Sequence, residues 1–371
     1  MRLLSLSLEQ FRSYDRLDLV LPDSDLLMFA GENGAGKTNL VEAVSFLSIG
    51  RSCLRAKSED ALRWGADFFR LRGETLSDSG EASNVEYVFQ QSPRRQAAMY
   101  VRDVKTPLLS FIGALPTIIF LPQDLDIFTG APSQRRSFLD VLLSQLKPDF
   151  AAHRIEYERV LKQRNAMLSR IADGEAALDD LSLWDSRLAA SAAGLIVLRD
   201  DIIGRFNRSV RTHIVALGEG DWSELRMLHD RKTKETKPEA IEAEMQSLLL
   251  SARDRDLAVC STTVGPHRDD WHVQVLDHDI ALFASRGQQR AAFIALLLTS
   301  AVLFQEVRGE RPVILLDDVL SELDEHHQKA LLSSLEGHQV FITTTHPVSL
   351  GQACQAWTVG EGAVTRSDAH H

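Results

Sequence analysis

The chain has 371 residues, a formal net charge of −11 and 44% hydrophobic residues. That length allows two domains or lobes with sizeable cores. The acidic balance excludes a protein that coats nucleic acid uniformly, so any DNA contact has to come from a local basic face. Three cysteines, Cys53, Cys260 and Cys354, lie far apart, fit no metal spacing and read as free thiols in a reducing compartment.

The first residues, Met1 to Glu9, alternate as in a strand and show no apolar run of signal-peptide length. The longest apolar stretch, Ala291 to Phe304, is too short and too close to Arg290 to span a bilayer, and reads as a buried helix. A cytoplasmic protein without a membrane partner is expected. Residues 1–30 carry period-2 runs that predict strands, the last being the apolar Leu26 to Ala30. A helix follows over 38–50 and stops at Gly50. Residues 67–105 alternate again and predict antiparallel strands with a turn at Ser92-Pro93.

From Ser133 to about Leu217 the apolar spacing is helical, through Phe138, Leu142 and Leu146, then Leu188, Leu195, Ile202 and Phe206, with a break or start at Pro148. Asp230 to Pro238 reads as a charged loop and 239–252 as a helix. Strand character returns at Leu257 to Cys260 and His272 to Val275. A buried helix, an apolar strand at 313–316, another helix, and strands at 339–344 and near Trp357 to Val359 complete the chain. The predicted fold class is α/β: residues 1–115 and 258–371 form one discontinuous lobe, and a mainly helical lobe, 116–257, is inserted. The inserted block could be an ordinary helical domain or a special arm.

Gly31-Glu32-Asn33-Gly34-Ala35-Gly36-Lys37-Thr38 fits the phosphate-binding pattern G-x-x-x-x-G-K-[ST] in full. Glycines let backbone N–H groups curl around phosphate oxygens, and the following helix, opening through Asn39, favours anions at its N-terminus. Lys37 is placed for the β- and γ-phosphates and Thr38 for Mg²⁺. ATP and Mg²⁺ are the cofactors this implies. Val313-Ile314-Leu315-Leu316-Asp317-Asp318 supplies the matching acids: Asp317 for the metal, Asp318 to orient or deprotonate the attacking water. Alone, this strand could be a buried strand with a solvated acidic end.

Lys37 and Asp317 are 280 positions apart, and a long insertion between these elements is typical of ATPases related to ABC proteins. Ser285-Arg286-Gly287-Gln288-Gln289, ahead of an apolar helix, resembles their signature motif, which binds the γ-phosphate of a neighbouring subunit. Ser321-Glu322-Leu323-Asp324 resembles the D-loop, and equally an N-cap; both can hold at once. Phe341 to His346 resembles the strand that ends in the switch histidine, although a lone His is often structural. A signature motif of this kind acts on the other chain, so ATP is expected to drive an ATP-dependent homodimer that hydrolysis releases.

Further segments resemble one family, the bacterial RecF recombination mediators, over most of the chain. Phe11-Arg12-Ser13-Tyr14 looks like their opening motif, which implies Arg12 near the nucleotide phosphates. Gly50-Arg51-Ser52, Leu121-Pro122-Gln123-Asp124-Leu125, Arg135-Arg136-Ser137-Phe138-Leu139-Asp140 and Gly265-Pro266-His267-Arg268-Asp269-Asp270 look like further family motifs, and Ser-Arg-Gly-Gln-Gln is the family form of the signature. The family commonly has Glu where this chain has Gln123; Gln123 suits a Q-loop that contacts Mg²⁺ and the attacking water. Asp318 stands where many ABC ATPases use Glu, which suits slow hydrolysis.

The resemblance implies a two-lobed ABC-type ATPase head, similar to Rad50 and SMC heads without the long coiled coil. It implies an ATP-dependent clamp on duplex DNA and single-strand/duplex junctions, acting with RecR and RecO to load recombinase at gaps, with slow DNA-stimulated ATP hydrolysis. Arg51, Arg55, Lys57 and Arg63 form a basic cluster suited to DNA phosphates, with Arg94 and Arg95 at a hairpin turn; each could equally be a solvated charge. No aromatic interleaving suggests base stacking. The alternatives are the ATPase subunit of an ABC transporter, which would carry Leu-Ser-Gly-Gly-Gln, or another P-loop ATPase or small-molecule kinase.

Overall fold

The structure is a computed structural model that describes residues 1–222, 224–345 and 354–367. The chain opens with β1 (Arg2–Phe11), β2 (Tyr14–Val20), β3 (Leu26–Ala30) and α1 (Lys37–Ile49). Next come β4 (Phe68–Leu76), β5 (Ala82–Gln90), β6 (Gln96–Val101), β7 (Val104–Lys105), α2 (Leu108–Phe111) and β8 (Thr117–Phe120). The helical stretch holds α3 (Pro132–Leu146), α4 (Pro148–Ala172) and α5 (Leu181–Ala216), followed by β9 (Arg226–Asp230), α6 (Pro238–Ser251) and α7 (Arg253–Val259). Then follow β10 (Asp270–Val275), β11 (His278–Asp279), α8 (Ile280–Phe283), α9 (Arg286–Arg308) and β12 (Val313–Asp317). The last elements are α10 (Glu325–Ser334), β13 (Val340–Thr344), β14 (Cys354–Gly360) and β15 (Ala363–Arg366).

Two compact units emerge, residues 1–126, 212–223 and 285–371, and residues 127–211 and 224–284. The edges expected at 115 and 257 differ from these. β8 stays with the first unit because it pairs in parallel with β12, and β10 stays with the second because it pairs with β9.

The first unit holds two sheets. One is antiparallel, in the order β2-β1-β4-β5-β6-β7; the other, β15-β14-β3-β13-β12-β8, is parallel except for its β14-β15 edge pair. β3, β12 and β13 are buried along their whole length, as parallel strands covered on both faces must be, and they read as continuous apolar runs. α1 packs against strands of both sheets, which is why it is apolar nearly all round. Phe46 of α1 meets Phe11, Phe69 and Tyr87 of the antiparallel sheet at 5.9, 5.5 and 5.0 Å between ring centroids. On the parallel sheet Phe29 stacks on Phe341 and Trp357. α9 is longer than the apolar stretch within it and has the length and composition of a bilayer span. However, 72% of its most apolar window is buried in the protein, as for a core helix.

In the second unit the predicted α3, α4, α5 as far as Arg211, and α6 are present, and Pro148 begins α4. Two local readings change. Leu257 to Cys260, expected as a strand, belongs to α7 and its cap. The buried residue there is Asp256, fixed by Arg164 Nη1 at 2.7 Å and by the backbone N–H and hydroxyl of Thr263, while Val259 is exposed. β9, absent from the sequence reading, forms because Asn207 brackets Met227 with two hydrogen bonds and β10 lies alongside.

The paired motifs of this unit read each other. Arg135 makes a bidentate contact to Asp270 at 2.9 and 2.6 Å, and Arg136 donates to the Asp269 carbonyl. Gly265 (φ 124) leaves no room for a Cβ, which would lie 2.6 Å from the Tyr157 hydroxyl. The His267 Nε2–H donates to the Thr262 carbonyl, so Nδ1 accepts from Tyr157 at 2.5 Å. Burial pushes the His267 pKa down to about 4.

Candidate functional site

β3 delivers the loop 31–36 between its neighbours β13 and β14, and the Gly31 N–H donates to the Thr344 carbonyl at 3.1 Å. Gly34 and Gly36 take positive φ, 81° and 107°, and Gly36 is the N-cap of α1. A Cβ on Gly31 would stand 2.3 Å from the Val359 carbonyl oxygen, so this position admits only glycine without a backbone shift. Glu32, Asn33 and Gly34 form the exposed tip, and Ala35 closes it by donating to the Glu32 carbonyl. Lys37 is buried and its Nζ donates to the carbonyls of Gly31 and Glu32 at 2.7 and 2.9 Å. The loop is thus held in a ring around the lysine, with its backbone donors at a helix N-terminus.

Across the parallel sheet, Asp317 ends β12 and Asp318 follows it. The Thr38 hydroxyl donates to Asp317 Oδ2 at 2.9 Å, and Thr343 Oγ1 donates to Asp317 Oδ1 at 2.5 Å. The same Thr343 oxygen accepts from the Asp318 N–H at 3.0 Å. Asp318 adopts φ 50, a strained conformation for a residue with a Cβ. Its Oδ1 is buried with no hydrogen-bond partner. Burial pushes the Asp318 carboxyl above its ordinary range, the Lys37 charge pulls it down, and Asp317 pushes it up. An unsatisfied carboxylate oxygen beside a lysine and a Thr-Asp pair fits a site for a hydrated cation and polyphosphate.

The Phe11-Arg12-Ser13-Tyr14 turn buttresses this loop. The Tyr14 hydroxyl donates to the Gly36 carbonyl and Asn39 Nδ2 donates to Ser13 Oγ. Arg12, expected at the phosphates, grips Glu42 of α1 through Nε and Nη2, at 2.7 Å each, and donates to the Asp60 carbonyl. Ser52 Oγ donates to the same Glu42 at 2.5 Å, so the opening motif and Gly50-Arg51-Ser52 meet on one buried carboxylate.

Gln123 is exposed on the short 3₁₀ turn Pro122–Asp126, which leaves β8 beside the end of β12. The neighbouring Asp124 accepts from the Leu121 N–H, and burial pushes its carboxyl up to about 6. His346 lies outside the described residues; β13, which leads towards it, is paired with β3.

Ser285 caps α9 with a reciprocal capping box: Gln288 N–H to Ser285 Oγ, and Ser285 N–H to the Gln288 side chain. Arg286 and Gly287 are exposed on that first turn. Arg290 binds the carbonyl and carboxylate of Glu322, linking α9 to the Ser321-Glu322-Leu323-Asp324 segment, where Asp324 caps α10. Arg51, Arg55 and Lys57 are exposed; Arg63 is half-buried and donates to the Ser13 carbonyl. Arg95 pairs with Glu59 at 2.6 Å, which brings the second basic turn to the first cluster.

Sequence reasoning passed over Thr343, Glu42 and Tyr14. The only signals they left were a hydroxyl near the end of a largely apolar strand, a carboxylate inside a buried helix and the aromatic that closes the opening motif.

A family model described as an AAA domain matches residues 5–247. DNA replication and repair protein RecF of Heliobacterium modesticaldum is 33% identical over 99% of this chain and 100% of its own length. That of Moorella thermoacetica is 34% identical over 97% and 95%. A solved structure of the recombination mediator protein RecF-ATPrS in the RecFOR pathway superposes with a TM-score of 0.90 at 28% identity, covering 98% of each chain. An Smc head bound to the C-winged helix domain of ScpA shares the fold, at TM-score 0.57 and 14% identity. The fold is therefore the α/β P-loop head common to RecF and SMC proteins. With a third of its residues identical over the full length of such relatives, the chain belongs to the RecF family.

Proposed function

We propose that this protein is an ATP-dependent DNA clamp of recombinational repair and replication restart. The observation that carries the reading is the Thr38–Asp317–Thr343–Asp318 array set against the Lys37 loop. ATP binds with its phosphates on the backbone donors of residues 31–39. Lys37 exchanges its two carbonyl partners for phosphate oxygens. Thr38 and Asp317 hold Mg²⁺, which when bound offsets the phosphate charge, and Gln123 approaches the same region. Asp318, kept partly basic by burial, orients the attacking water and accepts its proton; His346 senses the γ-phosphate. Hydrolysis is slow and DNA-stimulated, so ATP acts as a switch.

Ser285, Arg286, Gly287 and Gln288, with Asp324, complete the site of a second copy, giving an ATP-dependent homodimer. The exposure of Ser285, Arg286 and Gly287 on the first turn of α9, among the described residues, supports this. Arg51, Arg55, Lys57 and Arg63 contact backbone phosphates of duplex DNA and single-strand/duplex junctions without sequence readout. RecR and RecO are the protein partners, by membership of a family whose solved member is described in the RecFOR pathway. The protein works in the cytoplasm. Sedimentation velocity with and without ATP tests the switch. A monomer that becomes a dimer with ATP, but not in Ser285→Arg, supports the reading. A monomer under all conditions, DNA included, removes the clamp.

A further inference from the structure

Trp64 is completely exposed, at 100% of its free accessibility. The indole is the largest apolar side chain, and leaving it in water forgoes more burial free energy than any other residue. Its setting is rigid. The Ala66 N–H donates to the Arg63 carbonyl at 3.0 Å, and Gly65 takes φ 86, so residues 63–66 form a reverse turn with Trp64 at its second position. The base of that turn is tied to the β1–β2 connection: Arg63 N–H to the Gln10 carbonyl, Arg63 Nη1 to the Ser13 carbonyl, Arg12 N–H to the Ala61 carbonyl, and Leu62 bridged to Phe11.

The segment that carries Trp64, residues 51–67, holds Arg51, Arg55, Lys57 and Arg63 among Glu59, Asp60 and Asp67, a slight basic excess on an acidic chain, and Arg63 also lies 3.8 Å from Asp15. Arg63 precedes Trp64, and Arg51, Arg55 and Lys57 lie exposed on the same segment. Arg95 joins them through Glu59, whose charge is thereby matched. A protein partner recognises contiguous apolar area. Here the large apolar side chain stands beside arginine and glycine, a composition that matches a π-face plus phosphates.

We propose that Trp64 stacks on an unpaired base at the single-strand side of a DNA junction while the surrounding cations hold the adjoining phosphates. This rests on the DNA-binding reading above and adds to it a residue that distinguishes a junction from a duplex. Every base offers a π-face, so the contact is sequence-tolerant. Bases inside a duplex are already stacked and must be unstacked first, which makes the unpaired base the favoured target. The sequence reading, which found no aromatic in the basic cluster, passed over this residue.

The test is fluorescence anisotropy of the full-length protein with ATP, at fixed salt, on a blunt duplex and on the same duplex with a single-stranded tail. 2-Aminopurine at the first unpaired position reports stacking. Trp64→Ala is expected to bind the tailed DNA about 10-fold more weakly, with blunt-duplex affinity and melting temperature unchanged and the 2-aminopurine quench lost; Trp64→Phe recovers part of each. Wild-type affinity of Trp64→Ala for both DNAs overturns the inference while leaving DNA binding intact. Equal weakening on both DNAs also overturns it, since the residue is then a general contact. Failure of the wild type to bind either DNA overturns the underlying reading and the inference together.

Discussion

Removing the Arg12 guanidinium tests whether it is a latch or a phosphate ligand. Arg12 meets both oxygens of Glu42 at 2.7 Å, and Glu42 is fully buried. Breaking a buried ion pair from one side costs about 3–5 kcal/mol, because the other charge stays behind without its partner. Here Arg12 retains 23% of its side-chain accessibility, and Ser52 continues to donate to Glu42, so the lower end applies: about 3 kcal/mol for Arg12→Ala. Glu42→Gln removes the charge the guanidinium serves, so the double variant should lose less than the sum, with a coupling of at least ~1 kcal/mol. Urea unfolding of the four proteins measures this, with the affinity for a fluorescent ATP analogue followed in parallel. Full stability in Arg12→Ala, together with nucleotide binding weakened about 10-fold or more, would show that the guanidinium serves phosphate and refute the latch.

Asp318→Asn should retain nucleotide affinity and lose about 100-fold or more of the hydrolysis rate, measured as phosphate release. In the wild type the rate should fall with decreasing pH at a higher pH than an ordinary carboxylate would give, since burial raises the Asp318 pKa and the ionised form is the working one. Gly31→Ala places a methyl 2.3 Å from the Val359 carbonyl oxygen and should lower stability by about 1–3 kcal/mol in thermal unfolding, with weaker ATP binding. Unchanged melting would mean that the loop and β14 separate freely. His267 is held neutral with its pKa pushed down to about 4, against 6.5 when unfolded. Its contribution to stability is therefore full above pH 6.5 and lost as pH falls towards 4. Urea midpoints should drop across that window in the wild type and less in His267→Gln.

Elements whose chemistry is local were legible from the residues alone. The P-loop, the acidic strand and the capped first turn of α9 each rely on a few consecutive residues, so strand, glycine turn and helix could be read directly, and their order specified a P-loop head. Helical and alternating runs of ordinary length also read correctly, because a buried face imposes its period on the chain. Four apolar residues at 257–260 were too few to carry a period, and a buried ion pair at Asp256 decided for a helix instead. Arg12 sits far along the chain from its partner in a conformation that pattern alone could not supply. Thr343 earned its place by lying opposite Asp317 in a parallel pair, and β9 exists because Asn207 and β10 meet it. Such roles depend on which atoms come within hydrogen-bond reach across strands and loops. Those distances are set by the packed fold, because charge and hydroxyl groups carry no mark along the chain of the partner that will satisfy them.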